Sequence, residues 1–396
     1  MNRRDFSHVI AGAALTAASY QRVLGANDRL RFALVGSGRR GAAVANAFLK
    51  TAEAELACVC DIYDEHRRDF KSRLQTGASI PETGAHEEAL ARRDVDAVIL
   101  AVPDHLHLDL ARDALASGKH VYLEKPATHA FAEGAELRRL VRKSGKVCQI
   151  GTQQRSGAHY YRAKEQYFDA GRLGSVAFVR AVWNDFPWQA RRIPARPKPA
   201  GLDWNRFLGH APKVEWQMAR YDSWRCFKDY GAGVLADILN HWADVAQWML
   251  SDAAPRTAVT AGGIYQYTDG RENPDTVNSL LQYGTGWNLE FESTVRPVRN
   301  ERPSVVFLGT EGMLDIARDG FIFRPNKGDP VHVPAEGDLD VAHAADFIRS
   351  VKTGKKPNAG IDVALQGVLP CHMATQAYWT GRRTRYDANR NQIIGD

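Results

Sequence analysis

Apolar positions along this chain follow two rhythms, and the first gives way to the second near residue 150. From Leu30 onward, short and nearly unbroken apolar runs alternate with helix-like stretches. The segments 30–35, 55–60, 97–102, 120–123 and 147–150 read as strands. Between them lie helical segments from the first glycine turn through Phe48, then around 87–92, 105–117 and 131–144. Strands apolar on both faces, alternating with helices, predict a parallel sheet covered on both sides, the α/β Rossmann arrangement, here over 29–150.

Past Ile150 the alternation stops. A helix is expected over 159–170 and a strand through Trp183, followed by a loop carrying Pro187, Pro194, Pro197 and Pro199. The segments 257–267, 277–283, 287–295 and 304–308 then read as long strands, with tight turns such as Tyr283-Gly284-Thr285-Gly286. Consecutive strands with short turns indicate an antiparallel sheet. With closing helices near 341–353 and 362–380, residues 151–396 are expected to form an α+β second domain.

Composition narrows the function classes. A chain of 396 residues is comfortable for two domains, each with its own core. Hydrophobic residues at 44% and charged residues at 25% are globular values. The net charge of +6 is scattered, and no basic run interleaved with aromatics marks a nucleic-acid surface. Cys58, Cys60, Cys148, Cys226 and Cys371 are odd in number and hold no CxxC pair. They are expected to be buried apolar groups, with no metal site and no disulfide framework. At the N-terminus, Arg3-Arg4-Asp5-Phe6 precedes a weakly apolar stretch over 9–18 that is rich in Ala and Gly. It is too short to span a bilayer, and twin arginines before such a stretch form a Tat-type export signal. Residues 1–28 are therefore expected to send the chain to the periplasm or, left uncleaved, to anchor it to the membrane.

The first chemistry-bearing motif is Val35-Gly36-Ser37-Gly38-Arg39-Arg40-Gly41, a G-x-G-x-x-G between a strand and a helix. Gly36 makes the turn, Gly38 lets a pyrophosphate approach the backbone, and Gly41 lets helix pack on strand. Asp61 ends the second strand twenty residues after Gly41, where an acid accepts from a ribose 2′-hydroxyl. Together they predict a nicotinamide dinucleotide, NAD rather than NADP, because Asp61 repels a 2′-phosphate. Arg39 and Arg40 are the residues that stand against that preference, since either is able to reach such a phosphate.

Glu124-Lys125-Pro126 follows the strand over 120–123, so Lys125 falls at the carboxyl end of a strand, where ligands bind in open parallel sheets. Asp237 and His241 are four apart on an apolar helical segment, which would put both on one face. A carboxylate there can fix the tautomer of the imidazole, or simply brace the helix. Trp183, Trp188, Trp224 and Arg225 are candidates for a sugar platform, with core packing as the alternative for each tryptophan.

These motifs, with Ala101-Val102-Pro103-Asp104-His105-Leu106-His107, resemble the glucose–fructose oxidoreductase, inositol dehydrogenase and MocA family, written Gfo/Idh/MocA. The resemblance runs from Leu30 to Asp387. It implies an oxidoreductase acting on a sugar, glycoside or polyol, with Lys125 and His241 at the reacting hydroxyl and Asp237 positioning the sugar. His241 would be the base and Lys125 would polarise the oxygen. Val102, Pro103, His105, His107, Glu124 and Gln153 would join the glycine loop around the cofactor. Arg155 and Asn240 would join the substrate contacts. The resemblance also implies a cis Lys125–Pro126 peptide, an open sheet making a homodimer or tetramer, and a last helix that returns to the Rossmann domain. Asp104 departs from the asparagine common in the family. A redox-neutral glycosidase using bound NAD is the alternative activity, and a non-catalytic sugar sensor the alternative class.

Overall fold

The computed structural model describes residues 29–74, 77–184, 195–295 and 302–396. Residues 1–28, expected from the sequence to direct export, lie outside the described residues together with Pro187, Trp188 and Pro194. In the first domain, β1 (Leu30–Val35), β2 (Ala54–Cys60), β3 (Glu82–Thr83), β4 (Ala97–Leu100), β5 (His120–Leu123) and β6 (Cys148–Ile150) form one sheet. Its order is β3-β2-β1-β4-β5-β6, and every pairing is parallel. The strand order reverses between β1 and β4, which opens a crevice beyond their carboxyl ends. Helices α1 (Arg39–Lys50), α2 (Asp64–Ser72), α3 (His86–Ala91), α4 (His107–Ala116) and α5 (Glu133–Ser144) complete this domain. The two-residue β3 carries too little pattern to be read from sequence.

The second domain is built on a ten-stranded sheet. Its strands are β7 (Val176–Val182), β8 (Pro255–Gly263), β9 (Thr276–Tyr283), β10 (Asn288–Thr294) and β11 (Ser304–Gly309), then β12 (Gly312–Ala317), β13 (Gly320–Pro325), β14 (Val331–Pro334), β15 (Thr384–Asp387) and β16 (Gln392–Gly395). The order is β14-β13-β12-β11-β7-β10-β9-β8-β15-β16. β7 and β10 pair in parallel, and the other pairings are antiparallel. The alternation of buried and exposed residues along β9 shows why: one face is apolar and packs inward, the other is left outward. Helices α6 (Ala158–Ala163), α7 (Leu239–Leu250), α8 (Leu339–Thr353) and α9 (Ile361–Thr380) accompany the sheet. The five cysteines are free and buried.

Two closing helices join the domains. α9 meets α5 through Leu365 against Gly134 and an ion pair of Arg142 with Asp362 at 3.1 Å. α8 goes deeper. Its Ala344, Phe347 and Ile348 belong to the apolar cluster of Phe32, Phe48 and Tyr122. Gln149 Nε2 donates to the His343 carbonyl at 2.8 Å, and the His343 ring lies 2.9 Å from the Ile150 carbonyl. Thus 339–353 supplies core to the Rossmann domain although it lies far along the chain. The junction that results carries Lys125 on one side and His241 on the other.

Candidate active site

The glycine loop has the geometry its spacing requires. Gly36 has φ of +88°, and a Cβ there would lie 2.3 Å from the Ala101 carbonyl oxygen. A Cβ on Gly41 would lie 1.8 Å from the Gly36 carbonyl oxygen, so helix and loop touch backbone to backbone. Gly38 differs: its Cβ would have only His66 Cε1 at 4.0 Å, which leaves open space on the side where α1 begins. α1 has no capping side chain and no acid in its first turn. Its free N–H groups therefore suit a phosphate, which the helix dipole also favours.

The loop faces a cleft of about 800 Å³ lined by Gly36, Gly38, Arg39, Arg40, Gly41, Asp61, Val102, Pro103, Glu124, Lys125 and Arg225. Asp61 Oδ2 accepts from the Ser37 backbone N–H at 2.7 Å, and its Oδ1 accepts from Tyr63 N at 2.9 Å. His66 Nδ1 lies 3.5 Å away, and its hydrogen bond to Asp61 raises the imidazole pKa. Arg40 is committed elsewhere. It pairs with Glu124 at 2.8 Å and with Asp340 of α8 at 3.0 Å, so it ties the two domains together instead of reaching the ribose. Arg39 is left as the exposed cation of the loop. Asp61→Ala is expected to weaken NAD binding by at least about tenfold, since a hydrogen bond to a charged group contributes roughly 1.5–3 kcal/mol. It should weaken NADP less, and titration of both cofactors checks the ratio; a wild type that prefers NADP contradicts the role given to Asp61.

Lys125 follows β5 through a cis Lys125–Pro126 peptide. Its Nζ donates to the Asp237 carboxylate at 2.5 Å and to the Asp237 carbonyl at 3.0 Å. Arg225 Nε donates to the same carboxylate oxygen at 3.0 Å, while its Cζ lies 4.1 Å from the Trp224 ring centroid. Burial would raise the Asp237 pKa, but Lys125 and Arg225 outweigh it and hold the carboxyl well below its ordinary range. Asp104 behaves oppositely. Burial pushes it up to about 8, Arg225 opposes the shift and the Asp237 charge reinforces it, so it keeps its proton at neutral pH. A neutral carboxyl donates and accepts as the family's asparagine does.

Asp237 does not orient His241. The helical segment is broken at Ile238, which separates a short turn over Val234–Asp237 from α7, and the Asp237 carboxylate is bonded to Lys125 and Arg225 instead. His241 Nε2 instead lies 3.2 Å from Arg318 Nη2, and Nδ1 lies 3.1 Å from Gln154 Oε1. A guanidinium only donates, so Nε2 must carry the lone pair and Nδ1 the proton. Burial, Arg318 and Lys125 together hold the imidazole pKa well below its usual value. The ring is therefore neutral, in one tautomer. Trp183 lies beside it at a centroid distance of 6.0 Å.

Four other expected contacts have different work in the structure. His105 is buried against the Phe207 carbonyl at 2.9 Å, with its pKa pushed down to about 3 by burial. His107 is held between the Pro126 carbonyl at 2.7 Å and the Val102 carbonyl at 3.1 Å, where burial takes its pKa to about 4. Both shape the loops after β4 and β5 rather than touch the cleft. Arg155 pairs with the buried Asp244 at 2.9 Å, one turn beyond His241 on α7. Asn240 Nδ2 donates to the Gly367 carbonyl at 2.8 Å, away from the cleft and toward α9. Gln153 is buried at the junction, with its side-chain oxygen unpartnered among the described residues. His66 and Arg318 were not read from the sequence, and neither carries a motif.

Comparison with known proteins agrees with this geometry. A model described as "Oxidoreductase family, NAD-binding Rossmann fold" matches residues 30–152, and one for the "GFO/IDH/MocA C-terminal domain" matches 205–315. Together they span more than half of the chain. A scyllo-inositol 2-dehydrogenase (NAD(+)) of Bacillus subtilis is 26% identical over 300 residues, 73% of this chain and 74% of that one. A 1-carboxy-3-chloro-3,4-dihydroxycyclo hexa-1,5-diene dehydrogenase of Comamonas testosteroni is 28% identical, over 71% of this chain and 68% of its own. The aldose-aldose oxidoreductase of Caulobacter crescentus, solved with glycerol, shares the fold with a TM-score of 0.72 at 19% identity. That match covers 90% of this chain and 99% of the other. With a glycine loop shaped for a pyrophosphate, an acid at the end of β2 and both domain models in sequence, the chain belongs to the Gfo/Idh/MocA family and is an NAD-binding oxidoreductase.

Proposed function

We propose that this enzyme oxidises a hydroxyl-bearing carbon of a sugar, glycoside or polyol, with His241 as the base. The observation that carries the reading is the lone pair on His241 Nε2, fixed by Arg318, on a ring close enough to Lys125 for that charge to lower its pKa. The similarity to an inositol dehydrogenase supports a polyhydroxylated substrate. Bound NAD supplies the hydride acceptor. A substrate hydroxyl that replaces Arg318 on Nε2 hands its proton to His241, while Nδ1–H stays on Gln154 Oε1. The Lys125 amine, aimed by the Asp237 carboxylate and carbonyl, polarises the same oxygen and stabilises its developing charge. Arg225 and Trp224 wall the side of the cleft where a sugar face stacks. The outward sheet face, with Val259, Leu280 and Leu308 each more than 40% exposed, suits a contact between copies of the chain.

The twin arginines add a constraint. A chain exported folded enters a space without a replenished NAD pool, so NAD is loaded before export and released slowly. Its redox state then balances on the enzyme, through a second substrate or an internal oxidation–reduction cycle. Protein purified without added NAD and then denatured should release close to one dinucleotide per chain. Adding monosaccharides and glycosides should change the nicotinamide absorbance. Empty protein that turns over freely with added NAD would reject retention. Glycoside cleavage without net absorbance change would favour the redox-neutral alternative, and binding without either response would favour a sensor.

A further inference from the structure

Arg318 is the cation that the site leaves uncompensated. It sits in the turn between β12 and β13, with Cζ 5.1 Å from the Trp183 ring centroid and Nη2 3.2 Å from His241 Nε2. The carboxylates flanking it are already engaged. Asp319 pairs with Arg302 at 2.9 Å, and Asp315 lies between Arg302 and Arg324. Among the described residues no carboxylate pairs with Arg318, and burial of its guanidinium lowers its pKa. Around His241 the cations Lys125, Arg40, Arg225 and Arg318 outnumber the carboxylates of Asp237, Glu124 and Asp340. Asp104 adds no charge at neutral pH. The cleft is therefore electropositive where the substrate sits, and its base is weakened by the neighbouring cation.

We propose that Arg318 is a carboxylate-binding residue and that the substrate is a hydroxy acid, a sugar acid whose carboxylate lies one or two carbons from the reacting hydroxyl. This rests on the reading of His241 as the base. A hydroxyl on Nε2 at about 2.8 Å takes the position Arg318 now holds, so the displaced guanidinium remains within a few Å of that oxygen. A planar carboxylate matches the guanidinium fork with two parallel hydrogen bonds. The same contact neutralises the cation that depresses His241, so binding the acid strengthens the base that must take the proton. A neutral sugar displaces Arg318 without compensating it and leaves His241 weak.

The test is binding to the NAD-loaded protein, followed by tryptophan fluorescence. D-gluconate, D-glucuronate and D-galacturonate are compared with sorbitol, D-glucose, D-galactose and the phosphate esters of those hexoses. At least one acid should bind about tenfold or more tighter than its neutral counterpart. Arg318→Met should raise that Kd by roughly 10- to 100-fold, the equivalent of losing hydrogen bonds to a charged group. Arg318→Lys should recover part of the loss. Equal binding of acids and neutral sugars, no binding by any acid, an unchanged Kd in Arg318→Met or a preference for phosphate esters overturns the proposal. Turnover of neutral sugars without acid preference sinks the carboxylate and spares the oxidation. Acid binding through Arg318 with no change in nicotinamide absorbance does the reverse.

Discussion

Replacing His241 with alanine is expected to lower kcat by on the order of 10²- to 10⁴-fold while NAD affinity and fold persist. The imidazole is buried in the first turn of α7, and its ring contacts are Gln154, Arg318 and Trp183. No cofactor-cradling residue depends on it. The pH dependence separates a base from a packing residue. Because the pKa of His241 is held below its ordinary value of about 6.5, the unprotonated base persists below neutrality. The acid limb of kcat/KM should accordingly lie below about pH 6.5. Arg318→Gln removes a cation that depresses the ring, so the limb should move toward higher pH. A loss below about tenfold in His241→Ala would make Lys125 the proton acceptor, and an acid limb above pH 7 would contradict the burial argument.

The Rossmann half was legible because its signals are local. Each strand of 30–35, 55–60, 97–102 and 120–123 is an apolar run whose neighbours in the sheet are set by the alternation with helices. The glycine spacing also fixes the backbone contact of Gly41 with Gly36, five residues apart. The second sheet was legible only as far as β11. β12 to β14 carry Asp315, Arg324 and His332 within short strands, which weakens the alternation that marks a half-buried strand. The hairpin of β15 and β16 follows the last helix and has the same difficulty. What no local pattern encodes is that α8 is core to a domain some two hundred residues upstream.

The site divides along the same line. Gly36, Asp61 and Lys125 follow the ends of strands, Gly41 lies in the first turn of α1, and all four were readable from position alone. The partners of His241 were not. An i, i+4 spacing implies one face only if the helix is continuous, and the break at Ile238 sends Asp237 to Lys125 and Arg225 instead. Gln154 reaches His241 from the segment after β6, and Arg318 from a hairpin turn in the unread strands. Arg40 shows the converse. It belongs to the motif, yet the nearest acids, Glu124 and Asp340, take its charge.

Asp237→Ala should cost more stability than any other single truncation in the cleft, about 3–5 kcal/mol, because it removes the counter-charge that the buried Lys125 shares with Arg225. The Asp237 and Lys125 side chains are each only 10% exposed, and Arg225 shares the same carboxylate oxygen. Removing the carboxylate takes away the oxygen that Lys125 and Arg225 share and leaves the Asp237 carbonyl as an acceptor for Lys125. Lys125→Met in that background should then restore stability, since it deletes the buried cation that has lost its carboxylate. Urea unfolding of the wild type, both single variants and the double variant gives the coupling, expected to exceed about 1 kcal/mol. Strictly additive losses would show that the ion pair adds nothing beyond packing. Acid provides an independent check. The folded Asp237 pKa is depressed, so the stability it provides is fully present above the unfolded value of about 3.9 and is lost as pH falls through the folded one. Wild type and Asp237→Ala should therefore differ fully at neutral pH and converge only in strong acid. Turnover, by contrast, should not return with stability in the double variant, because Lys125 is the group that polarises the reacting oxygen.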